Sequence, residues 1–206
     1  MPSSQSDWDA KHRLAAEMHL AEPASIVREL LPLLPRGPAL DVACGTGRHT
    51  LLLATRNKHV IAVDWSAAGL DALEARARAA RVPIHRVNTV ETIGKSMHGG
   101  IDLVHADLAE LELPENSFEL ILCVQYLQRS LCPQLQRALW PGGMLLFETH
   151  TCAQLEFAGG PRNPKHLLEA GELRDAFPEL RVIFYRELRA GQGIASLVAQ
   201  KPEKKR

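Results

Sequence analysis

A pair of glycines separated by one residue is the feature of this sequence that most directly suggests chemistry. Gly45 and Gly47 follow the short apolar run 38–43, and a helical pattern begins at the second glycine. Glycine lets a backbone approach a ligand closely, and the amide N–H groups at a helix N-terminus attract phosphates and carboxylates. A dinucleotide motif would need a third glycine where this chain has Thr50, and the Lys-Ser/Thr pair of a Walker A loop is absent. The loop therefore favours a ligand other than a dinucleotide or a nucleoside triphosphate.

Two aspartates at the ends of later apolar runs extend this pattern. A carboxylate at Asp64, after the run 59–64, can accept both hydroxyls of a ribose. Asp107 ends the next run, and its carboxylate can accept from an exocyclic amine while Leu108 packs beside the ring. Either aspartate could instead cap the segment that follows it. Glycines, a ribose-binding acid and a base-binding acid together predict an adenosine pocket without a pyrophosphate.

The elements that must position these residues alternate along the chain. Strands are predicted at 38–43, 59–64, 100–107, 118–124, 143–150, 180–187 and 193–200, and helices at 22–37, 47–57, 66–81 and 164–177. Alternation of strands and helices predicts an α/β fold, a Rossmann-like, doubly wound, mostly parallel sheet of seven strands. Residues 188–192 are too few for a helical crossover, so the last two strands should form an antiparallel C-terminal hairpin.

One segment, 81–100, has no clear period and is interpreted as an insertion. It contains either a short helix at 88–97 or an extra strand at 84–89. The remaining pattern shows no boundary, which predicts a single domain over residues 1–206.

Composition narrows the classes of function. The 24 basic and 24 acidic residues leave no net charge, so attraction to nucleic acid or to an anionic membrane is not expected. No apolar run approaches the roughly 20 residues that span a bilayer, and the first residues lack the apolar core of a secretory signal. The four cysteines form no CxxC pair and the nine histidines show no metal spacing. A cytoplasmic protein with reduced thiols and no metal is expected.

Four segments between residues 37 and 150 resemble, in order, the motifs of a class I S-adenosylmethionine (SAM)-dependent methyltransferase. They are LDVACGTGRHTLLLA, VIAVDWS, HADLAELELPENSFELILC and LWPGGMLLFETH. Three more segments resemble bacterial methyltransferases of the tellurite-resistance type: DWDAKHR, YLQRSL and GGPRNPKHLLEAGELRDAF. The resemblance covers nearly the whole chain except 81–100. It implies SAM as cofactor, S-adenosylhomocysteine (SAH) as product and a small-molecule acceptor.

The resemblance and the position of each residue together give a predicted cofactor site. Its members are Trp8, Asp41, Ala43, Cys44, Gly45, Gly47, Asp64, Trp65, Ser66, Asp107, Leu108, Val124 and Gln125. Asp41 either organises the site or caps its own loop, and Cys44 is interpreted as a small residue at a tight turn rather than a nucleophile. The N-terminal region 1–36 is expected to fold over the cofactor as a helical lid that carries Trp8, with His12 facing either solvent or the site.

The predicted substrate side consists of His150, Tyr126, Arg129 and Arg162. Arg129, Arg162 and Lys165 could hold an anionic acceptor. The expected mechanism is in-line displacement at the methyl carbon, driven by positioning and desolvation, with a general base needed only for a protonated nucleophile. A nucleic-acid methyltransferase and a non-catalytic SAM-binding protein remain the alternatives. Neither the acceptor nor the oligomeric state can be read from the sequence.

Overall fold

A single mixed sheet organises the protein. The computed structural model describes residues 4–17, 22–56, 59–87 and 99–203. Within these ranges the strands are β1 (Ala39–Val42), β2 (His59–Asp64), β3 (Ile84–Val87), β4 (Gly100–His105), β5 (Phe118–Val124), β6 (Leu139–His150), β7 (Arg181–Arg189) and β8 (Gly193–Gln200). Their spatial order is β3-β4-β2-β1-β5-β6-β8-β7. The strand order reverses between β1 and β5, which is where open α/β sheets bind ligands.

The pairing confirms a mostly parallel sheet that ends in an antiparallel hairpin. Strands β3, β4, β2, β1, β5 and β6 pair in parallel. Strand β8 lies antiparallel between β6 and β7. This Rossmann-like arrangement follows from the short link between β7 and β8, which leaves no room for a helix that would return the chain to the same end of the sheet.

The predicted number of seven strands is wrong, because the described residues form eight. The additional strand is β3, which lies inside the segment interpreted as an insertion and pairs with the outer side of β4. Its four residues are only partly buried or exposed, so the sequence lacked the apolar run of a central strand. Of the two interpretations of this segment, the extra strand is therefore present over Ile84–Val87. The last two residues expected in it, and the whole of the alternative helix at 88–97, lie outside the described residues.

Helices cover both faces of the sheet. They are α1 (Gln5–Glu17), α2 (Ser25–Leu30), α3 (Arg48–Ala54), α4 (Ala67–Ala79), α5 (Cys132–Ala138) and α6 (Glu172–Asp175). One core joins α2, α3 and α4 to one face, and a second core joins α5 and α6 to the other. Among the described residues, no helix combines the length and apolar character needed to cross a bilayer.

Two predicted helices are shorter than expected, and one was missed. The helix expected at 22–37 ends at Leu30 and continues as a 3-10 turn. In the segment 164–177, Gly171 adopts a left-handed φ of 78°, and only Glu172–Asp175 is α-helical. Helix α5 has no counterpart in the predicted elements.

Candidate functional site

A cavity of about 210 Å³ opens at the carboxyl ends of β4, β2, β1 and β5, beneath α1. Of the residues predicted from the sequence, its wall contains Trp8, Ala43, Cys44, Gly45, Asp64, Trp65, Asp107, Leu108, Val124, Gln125 and Tyr126. Its wall also contains residues outside the predicted set: Lys11, His12, Ala15, Thr46, Arg48 and His49. The parallel register brings these strand ends to one edge of the sheet, which is why residues so far apart in sequence share one cavity.

Backbone shape explains the two glycines of the loop. Gly45 and Gly47 have left-handed φ values of 55° and 77°, a region that L-residues enter only with strain. A Cβ on Gly47 would lie 2.2 Å from Cδ1 of Leu73 on α4. Gly47 precedes the first residue of α3 and does not line the cavity. Its role in the structure is therefore to let α3 begin close against α4.

Asp64 is tied to the glycine loop by both carboxylate oxygens. Oδ2 accepts from the Gly45 backbone N at 2.7 Å, and Oδ1 accepts from the Ser66 backbone N at 2.8 Å. The residue is only 6% exposed, yet it lines the cavity. Ser66 caps α4, because its Oγ accepts from the Gly69 backbone N at 3.0 Å. Asp64 therefore holds the loop in place while it faces the cavity.

Asp41 lies below the loop rather than in the cavity wall. Its Oδ2 accepts from the hydroxyl of Thr50 at 2.6 Å, and both residues are buried. Burial raises the pKa of Asp41 to about 7, against the opposing effects of the Thr50 hydrogen bond and the Arg48 charge. Thr50 occupies the position of the missing third glycine, so the residue that departs from a dinucleotide motif has a structural partner here.

Asp107 combines the two roles considered for it. Its Oδ1 accepts from the Ala109 backbone N at 2.9 Å, so the residue stabilises its own turn. It also lines the cavity beside Leu108, which is buried. A local cap and a ligand contact are compatible, because a carboxylate has lone pairs on both oxygens.

Helix α1 covers the cavity and is attached mainly through polar groups. The helix has no buried residue. Asp9 Oδ1 accepts from the hydroxyl of Ser66 at 2.6 Å and from the Ala68 backbone N at 3.1 Å, and the first of these hydrogen bonds is the main cause that lowers the pKa of Asp9. Gln5 Nε2 donates to the Trp65 carbonyl at 3.1 Å. These contacts place Trp8 over the cavity, where the lid hypothesis expected it.

His12 from the same helix packs against the glycine loop. A Cβ on Gly45 would lie 3.1 Å from Nε2 of His12, and one on Gly69 would lie 2.8 Å from Nδ1. Nδ1 is buried and has no hydrogen-bond partner among the described residues. Burial lowers the pKa of His12, although the charge of Asp64 opposes the shift. His12 therefore lines the cavity while its Nδ1 stays buried and unpaired beside Gly69, although buried polar atoms of this kind are usually satisfied.

Arg48 and His49 follow directly after the loop, and sequence reasoning missed both. Arg48 Nη2 donates to Gln125 Oε1 at 2.8 Å. Gln125 has a left-handed φ of 61°, an uncommon conformation that often marks functional sites. Burial lowers the pKa of His49 to about 3, and its Nε2 accepts from the Ala24 backbone N at 3.1 Å. The signal available in the sequence was a cation at the start of the helix after the loop.

Most of the predicted substrate-side residues lie outside the cavity wall. Arg129 is held by the Glu172 carboxylate and by the carbonyls of Lys165 and Leu167. Neither Arg129 nor Lys165 lines the cavity. Their expected role in binding an anionic acceptor is therefore not supported by these contacts.

Arg162 and His150 also lie outside the cavity wall. Arg162 is exposed and donates to the carbonyls of Leu155 at 2.8 Å and Phe157 at 2.6 Å. His150 Nδ1 lies 3.2 Å from Gln154 Oε1, and burial lowers the pKa of its ring. Only Tyr126 of the four predicted substrate-side residues reaches the cavity.

Comparison with known proteins gives the family. A family model described as a methyltransferase domain matches residues 40–147, more than half of the chain. This chain belongs to the class I SAM-dependent methyltransferase domain family. No curated protein gives a significant match to the sequence. The matched residues include the glycine loop, Asp64, Asp107 and Gln125, so the family assignment and the cavity rest on the same part of the chain.

Solved structures share the fold at low sequence identity. A SAM-dependent methyltransferase from Mesorhizobium loti is 19% identical with a TM-score of 0.65, and the alignment covers 86% of this chain and 98% of that chain. TehB from Haemophilus influenzae is 16% identical with a TM-score of 0.68, covering 87% and 62%. The N-methyltransferase NodS from Bradyrhizobium japonicum WM9 is 16% identical with a TM-score of 0.64, covering 86% and 93%.

The residues of this methyltransferase domain fit its family's cofactor, SAM. Gly45 has no side chain to fill the cavity, and its backbone is fixed by the Asp64 carboxylate. That carboxylate keeps further lone pairs for ribose hydroxyls. The donor and acceptor set therefore suits a nucleoside with an attached amino acid.

Proposed function

We propose that this protein binds SAM in the cavity and transfers its methyl group to a small-molecule acceptor. The observation that supports the proposal is the convergence of Gly45, Asp64, Asp107 and Gln125 on one cavity at the switch in strand order. Each residue comes from the end of a different strand, in the order that the family motifs follow. The proposal also includes the tellurite-resistance type and a cytoplasmic location. TehB shares the fold of this chain, and this likeness supports the tellurite-resistance type at the level of the fold alone.

In this proposal the ribose lies against Asp64 and the adenine lies between Asp107 and Leu108. Asp64 is held rigid by two backbone N–H groups, so little conformational entropy is lost when it accepts a ribose hydroxyl. Asp107 is similarly fixed by its turn. Trp8 closes the cavity from α1 and excludes water from it.

The chemistry needs positioning more than proton transfer. When bound, SAM supplies a methyl group on a sulfonium, which is an activated electrophile. Burial raises the pKa of Tyr126 far above its usual range, so its hydroxyl stays protonated and donates to Gln128 Oε1. Tyr126 is therefore a wall of the cavity rather than a base. The remaining task of the chain is to align an acceptor lone pair with the methyl carbon and to exclude water.

A small-molecule acceptor is favoured by the size and cover of the cavity. Helix α1 lies across it, which leaves room for a compact molecule rather than for a nucleic-acid strand. The zero net charge also gives no electrostatic attraction to a phosphate backbone.

Calorimetric titration tests the cofactor part of the proposal. SAM and SAH should bind with a Kd on the order of micromolar, and NAD should not bind. In Asp64→Asn the SAH affinity should fall at least about tenfold, because an acceptor for the ribose is lost. Asp71→Asn is the matched control, since Asp71 lies on the exposed side of α4 and pairs with Arg86.

Binding of NAD without SAM would overturn the proposed cofactor. Turnover separates an enzyme from a SAM-binding protein: formation of SAH in the presence of a panel of small acids, amines and thiols should exceed that without an acceptor. Methylation of RNA or DNA fragments in preference to every member of that panel would support the nucleic-acid alternative instead.

A further inference from the structure

Two cationic side chains, Lys11 and Arg48, face the cavity from different elements. Lys11 comes from α1 and Arg48 from the first turn of α3, and both line the wall. Within residues 4–17, 22–56, 59–87 and 99–203, neither forms an ion pair with a carboxylate. Arg48 is partly buried and Lys11 is exposed, so an anion that enters the cavity can reach two cations that no carboxylate of the described residues pairs with.

The contacts of Arg48 hold it in place without neutralising it. Its Nη2 donates to the amide oxygen of Gln125 at 2.8 Å, and its Nη1 lies 3.4 Å from the carbonyl of Glu22. Burial lowers the pKa of Arg48, while the charges of Asp41 and Glu148 act in the opposite direction. The carboxylate of Asp41 is bonded to Thr50 and that of Glu148 to Ser196. A fixed, partly desolvated guanidinium therefore remains at the cavity wall.

Lys11 packs against an aromatic side chain of its own helix. Its Nζ lies 4.3 Å from the centroid of the Trp8 ring. Desolvation lowers the pKa of the Lys11 ammonium, and the positive charge of Arg48 lowers it further. The charge of Lys11 also contributes to the lowered pKa of His150, for which burial is the main cause. Lys11 therefore lines the same cavity as Arg48, with its ammonium over the Trp8 ring.

We propose that Lys11 and Arg48 form a clamp for the carboxylate of an organic-acid acceptor. The proposal rests on the proposed methyl transfer and specifies its substrate class. A guanidinium binds a carboxylate through parallel N–H donors, while an ammonium adds a point charge without fixed geometry. Trp8 and Tyr126 give the same part of the cavity an apolar, aromatic surface, which suits the organic portion of such a molecule. In this proposal Lys11 and Arg48 bind the anionic group that Arg129 and Arg162 were expected to bind.

The balance of charge favours the acceptor as the source of the carboxylate. Bound SAM brings its own carboxylate, but an ammonium accompanies that group and the sulfonium adds one positive charge. The wall itself is balanced, because Asp64 and Asp107 offset Lys11 and Arg48, so bound SAM leaves one net positive charge in the cavity. An anionic acceptor offsets this charge and is drawn toward the electrophile. Because Lys11 lies on α1, closure of this helix would complete the acceptor site together with the cavity.

Benzoate is the probe of the clamp, and benzamide is its uncharged analogue. Each is titrated calorimetrically into the protein saturated with SAH. Benzoate should bind and benzamide should not. Lys11→Met and Arg48→Met should each weaken benzoate at least about tenfold, because a charge-assisted contact is lost, and should weaken benzoate more than they weaken SAH. Arg13→Met, which removes the same charge from the exposed side of α1, should leave benzoate binding unchanged.

The outcomes separate the clamp from the proposed function. If the two variants weaken SAH at least as strongly as benzoate, but leave the affinity for 5′-methylthioadenosine, which lacks the amino acid, unchanged, the cations hold the cofactor's carboxylate and the proposal is overturned. Equal binding of benzoate and benzamide, or none of either, also overturns it. If SAH fails to bind the wild-type protein, the proposed function has failed. Benzoate is then titrated into the ligand-free protein, where a loss in both variants still supports a carboxylate site. Near-identical circular dichroism and urea midpoints confirm that each variant is folded.

Discussion

The loop between β1 and α3 and the N-terminal helix α1 face each other across the cavity, but they are held by different forces. The loop is fixed from below by the buried Asp41–Thr50 hydrogen bond and from the side by Asp64. Helix α1 has no buried residue and is attached through Asp9 and Gln5. Segments with little apolar burial open at low free-energy cost, whereas buried backbone opens only with the whole domain. We therefore expect the glycine loop to be rigid and helix α1 to open at a lower free-energy cost.

The largest loss of stability is expected at Gly47, where the glycine loop packs most closely against α4. Gly47→Ala should lower the free energy of unfolding by about 2–4 kcal/mol, because its φ of 77° is strained for alanine and Cβ would meet Leu73. Gly191→Ala is the matched control, since Gly191 has a φ of 73° with nothing within 4 Å of the added Cβ. It should cost only about 1 kcal/mol from the backbone alone. Equal losses in urea titrations of the two variants would contradict the importance of packing at Gly47.

The buried carboxyl beneath the loop should give a pH-dependent stability. The folded pKa of Asp41, about 7, lies above the ordinary aspartate value of 3.8, so the folded state binds more protons between these pH values. Its contribution to stability is complete below about pH 4 and is lost as pH rises toward 7, with a slope of at most about 1.4 kcal/mol per pH unit.

Asp41→Asn removes this titration and keeps an oxygen that can accept from Thr50. The free energy of unfolding of the wild type, relative to the variant, should therefore decrease between pH 5 and pH 8. Urea denaturation at several pH values measures the difference. A constant difference over this range would mean that Asp41 is ionised throughout in the folded protein.

Loosening of the cover should affect local opening and ligand affinity more than global stability. Asp9→Ala removes the acceptor that connects α1 to Ser66 and Ala68. Amide hydrogen exchange should accelerate over residues 5–17, while the free energy of global unfolding changes by less than about 0.5 kcal/mol. SAH affinity should also fall, because Trp8 and His12 are carried by the same helix. Unchanged exchange in α1 would show that its attachment does not depend on Asp9.

The smallest effect is expected at an arginine that the sequence placed at the site. Arg162 is exposed and contacts only the carbonyls of Leu155 and Phe157 among the described residues. Arg162→Met should change stability by no more than about 0.5 kcal/mol and leave SAH binding unchanged. A clear loss of acceptor affinity in this variant would instead restore the original anion-binding hypothesis for this loop.

The sequence by itself determined the sheet and the floor of the cavity. Alternating apolar runs specify parallel strands, and Gly45, Asp64 and Asp107 stand at strand ends, so the register of the sheet alone brings them together. Strand β3 was only one of two alternatives for its segment, because an edge strand with polar side chains lacks the apolar run of a central one.

Only the tertiary structure decided which cations reach the site. Arg129 follows β5 in the sequence, but Glu172 and two carbonyls hold it outside the cavity wall. Lys11 reaches the cavity, and His12 reaches the glycine loop, because α1 packs across α4. Local sequence determines strands and turns through backbone geometry. The contacts of long side chains depend instead on how segments far apart in the chain pack together. The floor of the site is therefore visible in the sequence, and its acceptor side is not.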